Sequence, residues 1–136
     1  PVEIGRGEKL VEGADGTILA IGSMVNPSLE AAEFLRKEGV SVAVGDLRFA
    51  KPLDKALILD AAKAAKSIVT VEENTLLGGV GSGVLELLAD QGVSRPVLRL
   101  GLPDAFIDQG TQAELRARCH LDAAGIAASI KNWLRG

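Results

Sequence analysis

Tyrosine is absent from the 136 residues, and one tryptophan and three phenylalanines are the whole aromatic complement. A core without rings must be aliphatic, and a hydrophobic content of 47% supplies one. Such a diet of Val, Ile, Leu, Ala and Gly suits a parallel sheet covered by helices on both faces. The single cysteine, Cys119, excludes an internal disulfide and fits a reducing cytosol. Lysine and arginine form no cluster and the formal net charge is −3, so the basic stripe that nucleic acid requires is missing. No charge-free apolar run approaches the ~18 residues of a membrane span, and no signal-peptide pattern is present. An initiating methionine is also lacking. The chain opens PVEIGRGEK, which is expected of a fragment or processed piece of a larger protein.

What is there reads as one domain with a short lead-in. Residues 1–16 are charged and glycine-rich, with one possible edge strand around Lys9–Glu12. From residue 17 to residue 136, short apolar runs alternate with helical patterns. TILAI (17–21), SVAVGDLRF (41–49), SIVTVE (67–72) and PVLRL (96–100) read as strands. Between the first two, Asn26 can cap a helix, Pro27 fits its first position and Gly39 its stop. Asp54 opens a second helix with Leu57, Ile58, Ala61, Ala62 and Ala65 at helical spacing. A third begins near Gly79. Thr111 and Glu114 make the T-x-x-E pattern of a capping box, and the last helix runs from Asp122 with Ile126, Ala127, Ile130, Trp133 and Leu134 on one face. Met24, Phe34 and Trp133 read as core. Strand–helix alternation with short connections predicts an α/β protein: a three-layer αβα sandwich around a mostly parallel, mixed sheet of five strands.

Residues 69–83, VTVEENTLLGGVGSG, carry the densest chemistry: two carboxylates, an amide and four glycines. Dinucleotide binding needs G-x-G-x-x-G after a strand. Started at Gly79, the last glycine position falls on Val84; started at Gly81, it falls on Glu86. A P-loop started at Gly78 reaches Gly83 correctly, then offers Val84 and Leu85 where Lys and Ser/Thr must stand. The stretch is therefore expected to be a strand–turn–helix joint. The strand should end near Glu72 and the helix begin close to Gly79. Glu73 or the Asn74 side chain should shield the helix start from anions, and the glycines should allow close packing. Glu72 and Glu73 are strand neighbours, so they should point to opposite faces instead of forming an acid–base pair. Arg48, after the second strand, is expected to pair with Glu72 or Glu73. Lys51 beside it could bind an anion, although a turn on Pro52 is the plainer reading. Cys119 and His120 are adjacent on a helix, about 100° apart, which suits neither zinc nor a nucleophile–base pair. His120 reads as a helix-end residue. The loop LGLPDAFIDQG (100–110), with Asp104 and Asp108, follows a strand end where an open α/β sheet places ligands.

One resemblance adds what spacing cannot. GSMV (22–25), DLRFAKPLD (46–54), VTVEEN…GGVGSGV (69–84) and RLGLPDAFIDQGTQAEL (99–115) together resemble the C-terminal domain of the 1-deoxy-D-xylulose-5-phosphate synthases. These are thiamine-diphosphate transferases of the transketolase superfamily. The likeness runs from the lead-in PVEIGRGE to the tail LDAAGIAASIKNWL. DLR…PLD and VEE…GG.G are similar to 2-oxo-acid dehydrogenase beta subunits as well, whereas EEN and GLPDAFIDQG are particular to the synthases. The resemblance implies decarboxylation of pyruvate and joining of its two-carbon unit to D-glyceraldehyde 3-phosphate, feeding isoprenoid, thiamine and pyridoxal synthesis. It implies that thiamine diphosphate, Mg²⁺ and the substrate phosphate belong to two preceding domains, so no catalytic, cofactor or metal residue is carried over. This domain is then a packing module of a cytoplasmic homodimer, inactive alone, with Glu73, Asn74, Gly78, Gly79, Gly81 and Asp104 as candidates for contact with those domains or the dimer partner. The alternative is a surface that docks another protein, as in the dehydrogenase beta subunits.

Overall fold

The computed structural model describes residues 3–75, 79–102 and 111–136. Among these residues, five strands form one mixed sheet: β1 (Glu8–Val11), β2 (Gly16–Ala20), β3 (Val42–Asp46), β4 (Ile68–Thr75) and β5 (Val97–Leu102). Their order is β1-β3-β2-β4-β5. β2, β3, β4 and β5 are parallel to one another, and β1 lies antiparallel to β3 with Glu8 opposite Asp46. Among the described residues, five helices connect or flank them: α1 (Val25–Lys37), α2 (Lys55–Ala64), α3 (Val80–Asp90), α4 (Gln112–Arg118) and α5 (Ala123–Arg135).

The period-two alternation of the strands divides the core in two. Ile18, Ala20, Val42, Val44, Val69 and Val71 face α1, α4 and α5, where Ala31, Leu35, Leu115, Ile126 and Ile130 meet them. Leu19 and Ile68 face the other way, onto Ile58, Ala61 and Ala62 of α2 and Val80, Val84 and Leu88 of α3. The expected three layers are present, and all five residues of β2, the central strand, are buried.

The ends of the helices show the local rules at work. The Asp54 side chain accepts the Leu57 N–H at 3.0 Å, Thr111 accepts from Glu114 at 3.2 Å, and Asp122 accepts from Gly125 at 2.8 Å. Each cap satisfies one orphan donor of its first turn. α1 closes in a Schellman motif, with Gly39 N–H on the Arg36 carbonyl and Val40 N–H on that of Leu35. Gly39 sits at φ +84° with nothing near its missing Cβ. Gly39→Ala therefore tests backbone strain alone, and urea denaturation should show a loss of about 1 kcal/mol.

Three sequence expectations shift. α1 starts at Val25, straight out of a 3₁₀ turn at Gly22–Met24, so Met24 and not Asn26 is its N-cap. Pro27 is tolerated at the third position because N–H groups in the first turn have no helical acceptor. Phe34 is 45% exposed; the buried stripe of α1 is Ser28, Ala31, Ala32 and Leu35, and Phe34 lies about 100° from Leu35. β4 continues past Glu72 to Thr75, because its parallel pairing with β5 resumes at Thr75 opposite Leu102 beyond an irregularity.

Candidate functional site

Leaving β2, the chain crosses through α1 to β3 on one side; leaving β3, it returns through α2 to β4 on the other. The switch point of the sheet is therefore between the carboxyl ends of β2 and β4, the crevice where open α/β sheets accept ligands. The residues standing there are Gly22 and Ser23 after β2, and Glu72 and Glu73 in β4.

The two carboxylates diverge, as strand geometry demands. Glu72 turns to the α3 side and is wholly buried. Its Oε1 accepts the Val80 N–H at 2.8 Å and its Oε2 accepts the Gly81 N–H at 2.7 Å. A negative charge thus sits on the positive end of α3, with both oxygens engaged. The expected shielding of this helix start is found, but the residue is Glu72, and Glu73 faces away. The reason is the strand period: Ile68, Thr70 and Glu72 share the face of β4 that α3 covers, and residue 73 falls on the other.

Gly81 is what allows the approach. A Cβ there would stand 2.7 Å from Arg99 Nε and 2.9 Å from Thr70 Oγ1. Arg99 reaches across the first turn of α3, its Nη2 donating to Ser82 Oγ at 2.8 Å. Gly83 comes within 2.9 Å of the tip of Leu53 by the same measure. Gly79 is the N-cap of α3, with no side-chain cap of its own.

Glu73 points into the switch-point crevice. Ser23 Oγ donates to its Oε2 at 2.7 Å, and Arg116 Nη1 of α4 lies 3.2 Å from its Oε1. The second contact is a charge pairing without the alignment of a hydrogen bond, since Oε1 has no hydrogen-bond partner by geometry. Both members of the ion pair are mostly buried, at 26% and 20% exposure for Arg116 and Glu73. This one carboxylate joins the turn after β2, the end of β4 and α4.

Arg48 reaches neither glutamate. It lies at φ +61° after β3, and its Nη2 donates to Glu8 Oε1 of β1 at 3.0 Å. The strand order explains the correction: β2 stands between β3 and β4, so Arg48 is two strand spacings, roughly 9–10 Å, from the end of β4, and the antiparallel edge strand is its neighbour instead. On the same side, Asp54 does two things. Besides capping α2, its Oδ2 accepts the Gly7 N–H at 2.8 Å and so fastens the lead-in to the carboxyl edge of the sheet.

The backbone of Asn74 is in β4, while Gly78, Asp104 and Asp108 lie outside the described residues. His120 ends α4 at φ +60°, and Cys119 is half-buried beside it. Among the described residues no group of three or more His, Cys, Asp or Glu side chains is placed to hold a metal ion. The first turn of α3 does not fit a diphosphate, because Glu72 holds its amides. No helix among the described residues is long and apolar enough to cross a membrane.

Sequence reasoning missed Ser23, Arg116, Arg99 and the second bond of Asp54. Only Asp54 carried a local signal, its place before a helix.

Known proteins place this architecture. Residues 5–126 match the family described as "Transketolase, C-terminal domain". The chain is 54% identical over 131 residues to a 1-deoxy-D-xylulose-5-phosphate synthase of Syntrophotalea carbinolica, covering 96% of this chain and 21% of that protein. It is 46% identical over 135 residues to the synthase of Aquifex aeolicus, covering 99% of this chain and 22% of the relative. The chain thus spans about a fifth of the length of these curated relatives. Among solved structures, a "Split gene transketolase, inactive beta4 tetramer" superposes with a TM-score of 0.90 at 36% identity, over 98% of this chain and 44% of that one. A transketolase mutant from Pichia stipitis shares the fold at a TM-score of 0.68 and 21% identity, over 95% of this chain and 18% of that chain. With the family match running through nearly all of the sheet and its helices, the chain belongs to the transketolase C-terminal domain family.

Proposed function

We propose that this chain is the C-terminal domain of a 1-deoxy-D-xylulose-5-phosphate synthase, a thiamine-diphosphate transferase that condenses pyruvate with D-glyceraldehyde 3-phosphate and releases CO2. The observation that carries the reading is the identity of about half of all residues to such synthases along essentially the whole chain. Within the enzyme, a cytoplasmic homodimer supplying isoprenoid, thiamine and pyridoxal precursors, this domain packs and orients. The preceding domains hold the cofactor, Mg²⁺ and substrate. Its contact face is the carboxyl edge of the sheet, where Glu73 and Gly79 lie with Asn74, and where Asp54 ties down the lead-in; Gly81 is buried inside the domain, against Thr70 and Arg99.

Two measurements test this. Calorimetry of the isolated chain with thiamine diphosphate and Mg²⁺ should give no binding heat, while the full-length protein converts the two substrates with release of CO2. Micromolar binding by the isolated chain, or a full-length protein inert toward pyruvate and glyceraldehyde 3-phosphate, refutes the reading.

The Glu73–Arg116 pair has a smaller, separable effect. Arg116→Ala should cost about 1–2 kcal/mol, above the usual value of an exposed pair because both partners are mostly buried. A cycle with Glu73→Ala measured by urea unfolding should return most of that loss as coupling.

A further inference from the structure

The lead-in is not a loose tail. Gly7 N–H donates to Asp54 Oδ2 at 2.8 Å, while Oδ1 of the same carboxylate caps α2 through the Leu57 N–H at 3.0 Å. The backbone at Gly7 lies directly on the domain: a Cβ there would run into the Asp46 carbonyl oxygen and stand 2.8 Å from Leu57 Cδ2. Just before it, Glu3–Arg6 form a turn closed by Arg6 N–H on the Glu3 carbonyl at 3.2 Å. Gly5 takes φ +77° at the third position of that turn, as a type II turn requires, and a Cβ there would come within 2.8 Å of Pro52 Cγ. Just after it, Glu8 meets Arg48, whose left-handed backbone is held by its own N–H on Asp46 Oδ1 at 2.9 Å. Such strain persists only where the surroundings enforce it. Apolar burial does not order residues 3–8: Ile4, their one large apolar side chain, is 82% exposed.

The arrangement needs two acceptor oxygens. Ser, Thr or Asn would cap α2 about as well, but each has a single side-chain oxygen. The carboxylate of Asp54 serves the helix and the lead-in together. We propose that residues 3–8 are a fixed strap and that Asp54 is a positioning residue, setting the line along which the preceding part of the enzyme joins this domain. This role rests on the reading that the other domains of a synthase precede the chain. Releasing the strap leaves the domain folded but misplaced. It therefore lowers turnover without changing substrate affinity, which the preceding domains govern.

Trypsin reads the strap directly, because it cuts between Arg6 and Gly7, at the amide that Asp54 holds, and cleavage requires the segment to detach. In the full-length protein, Asp54→Asn keeps the α2 cap and turns an NH2 group toward Gly7. Gly7→Ala keeps the carboxylate and lifts the backbone off the end of β3. Both should be cut after Arg6 roughly tenfold faster than the parent, the factor carried by one hydrogen bond to a charged group. Hydrogen exchange in β2 and β4 should stay at the parent's level. With pyruvate and glyceraldehyde 3-phosphate, kcat should fall several-fold while both KM values hold. Equal cleavage rates in parent and variants overturn the strap. Faster cleavage with undiminished kcat overturns the positioning role, as does a fall in kcat matched by faster exchange in β2 and β4, which marks plain destabilisation. A parent inert toward both substrates refutes the synthase reading instead, and the cleavage rates still decide the strap.

Discussion

Gly81→Val should destabilise the domain by about 3 kcal/mol, the upper end of what overpacking a close-fitted interior costs. In a free helix the sign would be reversed, since glycine in a helix interior is worse than alanine by roughly 0.5–1 kcal/mol. Here a side chain meets Arg99 Nε at 2.7 Å and Thr70 Oγ1 at 2.9 Å. Thr70 is fixed to a central strand, and Arg99 is held by its bond to Ser82. Neither yields without moving α3 off the sheet. Moving α3 also withdraws the Val80 and Gly81 amides from a buried carboxylate, which is then left short of donors. Gly83 is the control two residues on. Its Cβ would meet only Leu53 Cδ1, the free end of a side chain that can rotate, so Gly83→Ala should stay within about 0.5 kcal/mol of the parent once helix propensity offsets the shift. Urea unfolding of Gly81→Ala, Gly81→Val and Gly83→Ala decides the matter. If Gly81→Ala is as benign as Gly83→Ala, the tight joint is not what the glycine is for.

The contrast between these glycines shows where the sequence was readable. Helix caps at Asp54, Thr111 and Asp122 are local, and each accepts the N–H three residues on, as its type and place foretell. The divergence of Glu72 and Glu73 is equally local, a matter of strand period. Which of the two caps α3 was not legible. It depends on which face of the sheet α3 covers, and the strand order with its crossovers decides that. Arg48 failed for a related reason. Alternation of strands and helices gives the fold class, but many strand orders satisfy it, and this one inserts β2 between the arginine and its expected partners. The switch-point bonds are further still from any sequence signal. Ser23 and Glu73 are separated by 50 positions, and Asp54 and Gly7 by 47, with no periodicity linking them. Phe34 misled because size suggests burial, whereas the face of α1 against the sheet is lined by alanine and leucine so that the helix can lie close.

The second large effect is expected at the corner between α4 and α5, where Gly125→Val should cost about 3 kcal/mol. α4 ends in a Schellman motif: Leu121 N–H bonds the Arg116 carbonyl, His120 N–H bonds that of Ala117, and His120 itself takes φ +60°. The chain then turns back so tightly that a Cβ on Gly125 would stand 2.7 Å from the Cα, C and O of His120. Those are main-chain atoms in a hydrogen-bonded turn, so no rotamer change relieves the clash. The corner must open, and opening it strains the Asp122 cap on the Gly125 N–H as well. It also shifts α4, which brings Arg116 to Glu73, so the ion pair at the switch point should weaken with it. His120→Gly should act in the opposite direction. It removes the left-handed strain of a β-carbon, worth about 1–2 kcal/mol, against the added freedom of a glycine in the unfolded chain, for a net gain of about 0.5–1 kcal/mol. Thermal and urea unfolding of both variants, with the Glu73–Arg116 coupling remeasured in Gly125→Val, tests the whole chain of causes. An undiminished coupling in that variant would mean that α4 is held in place by something other than this corner.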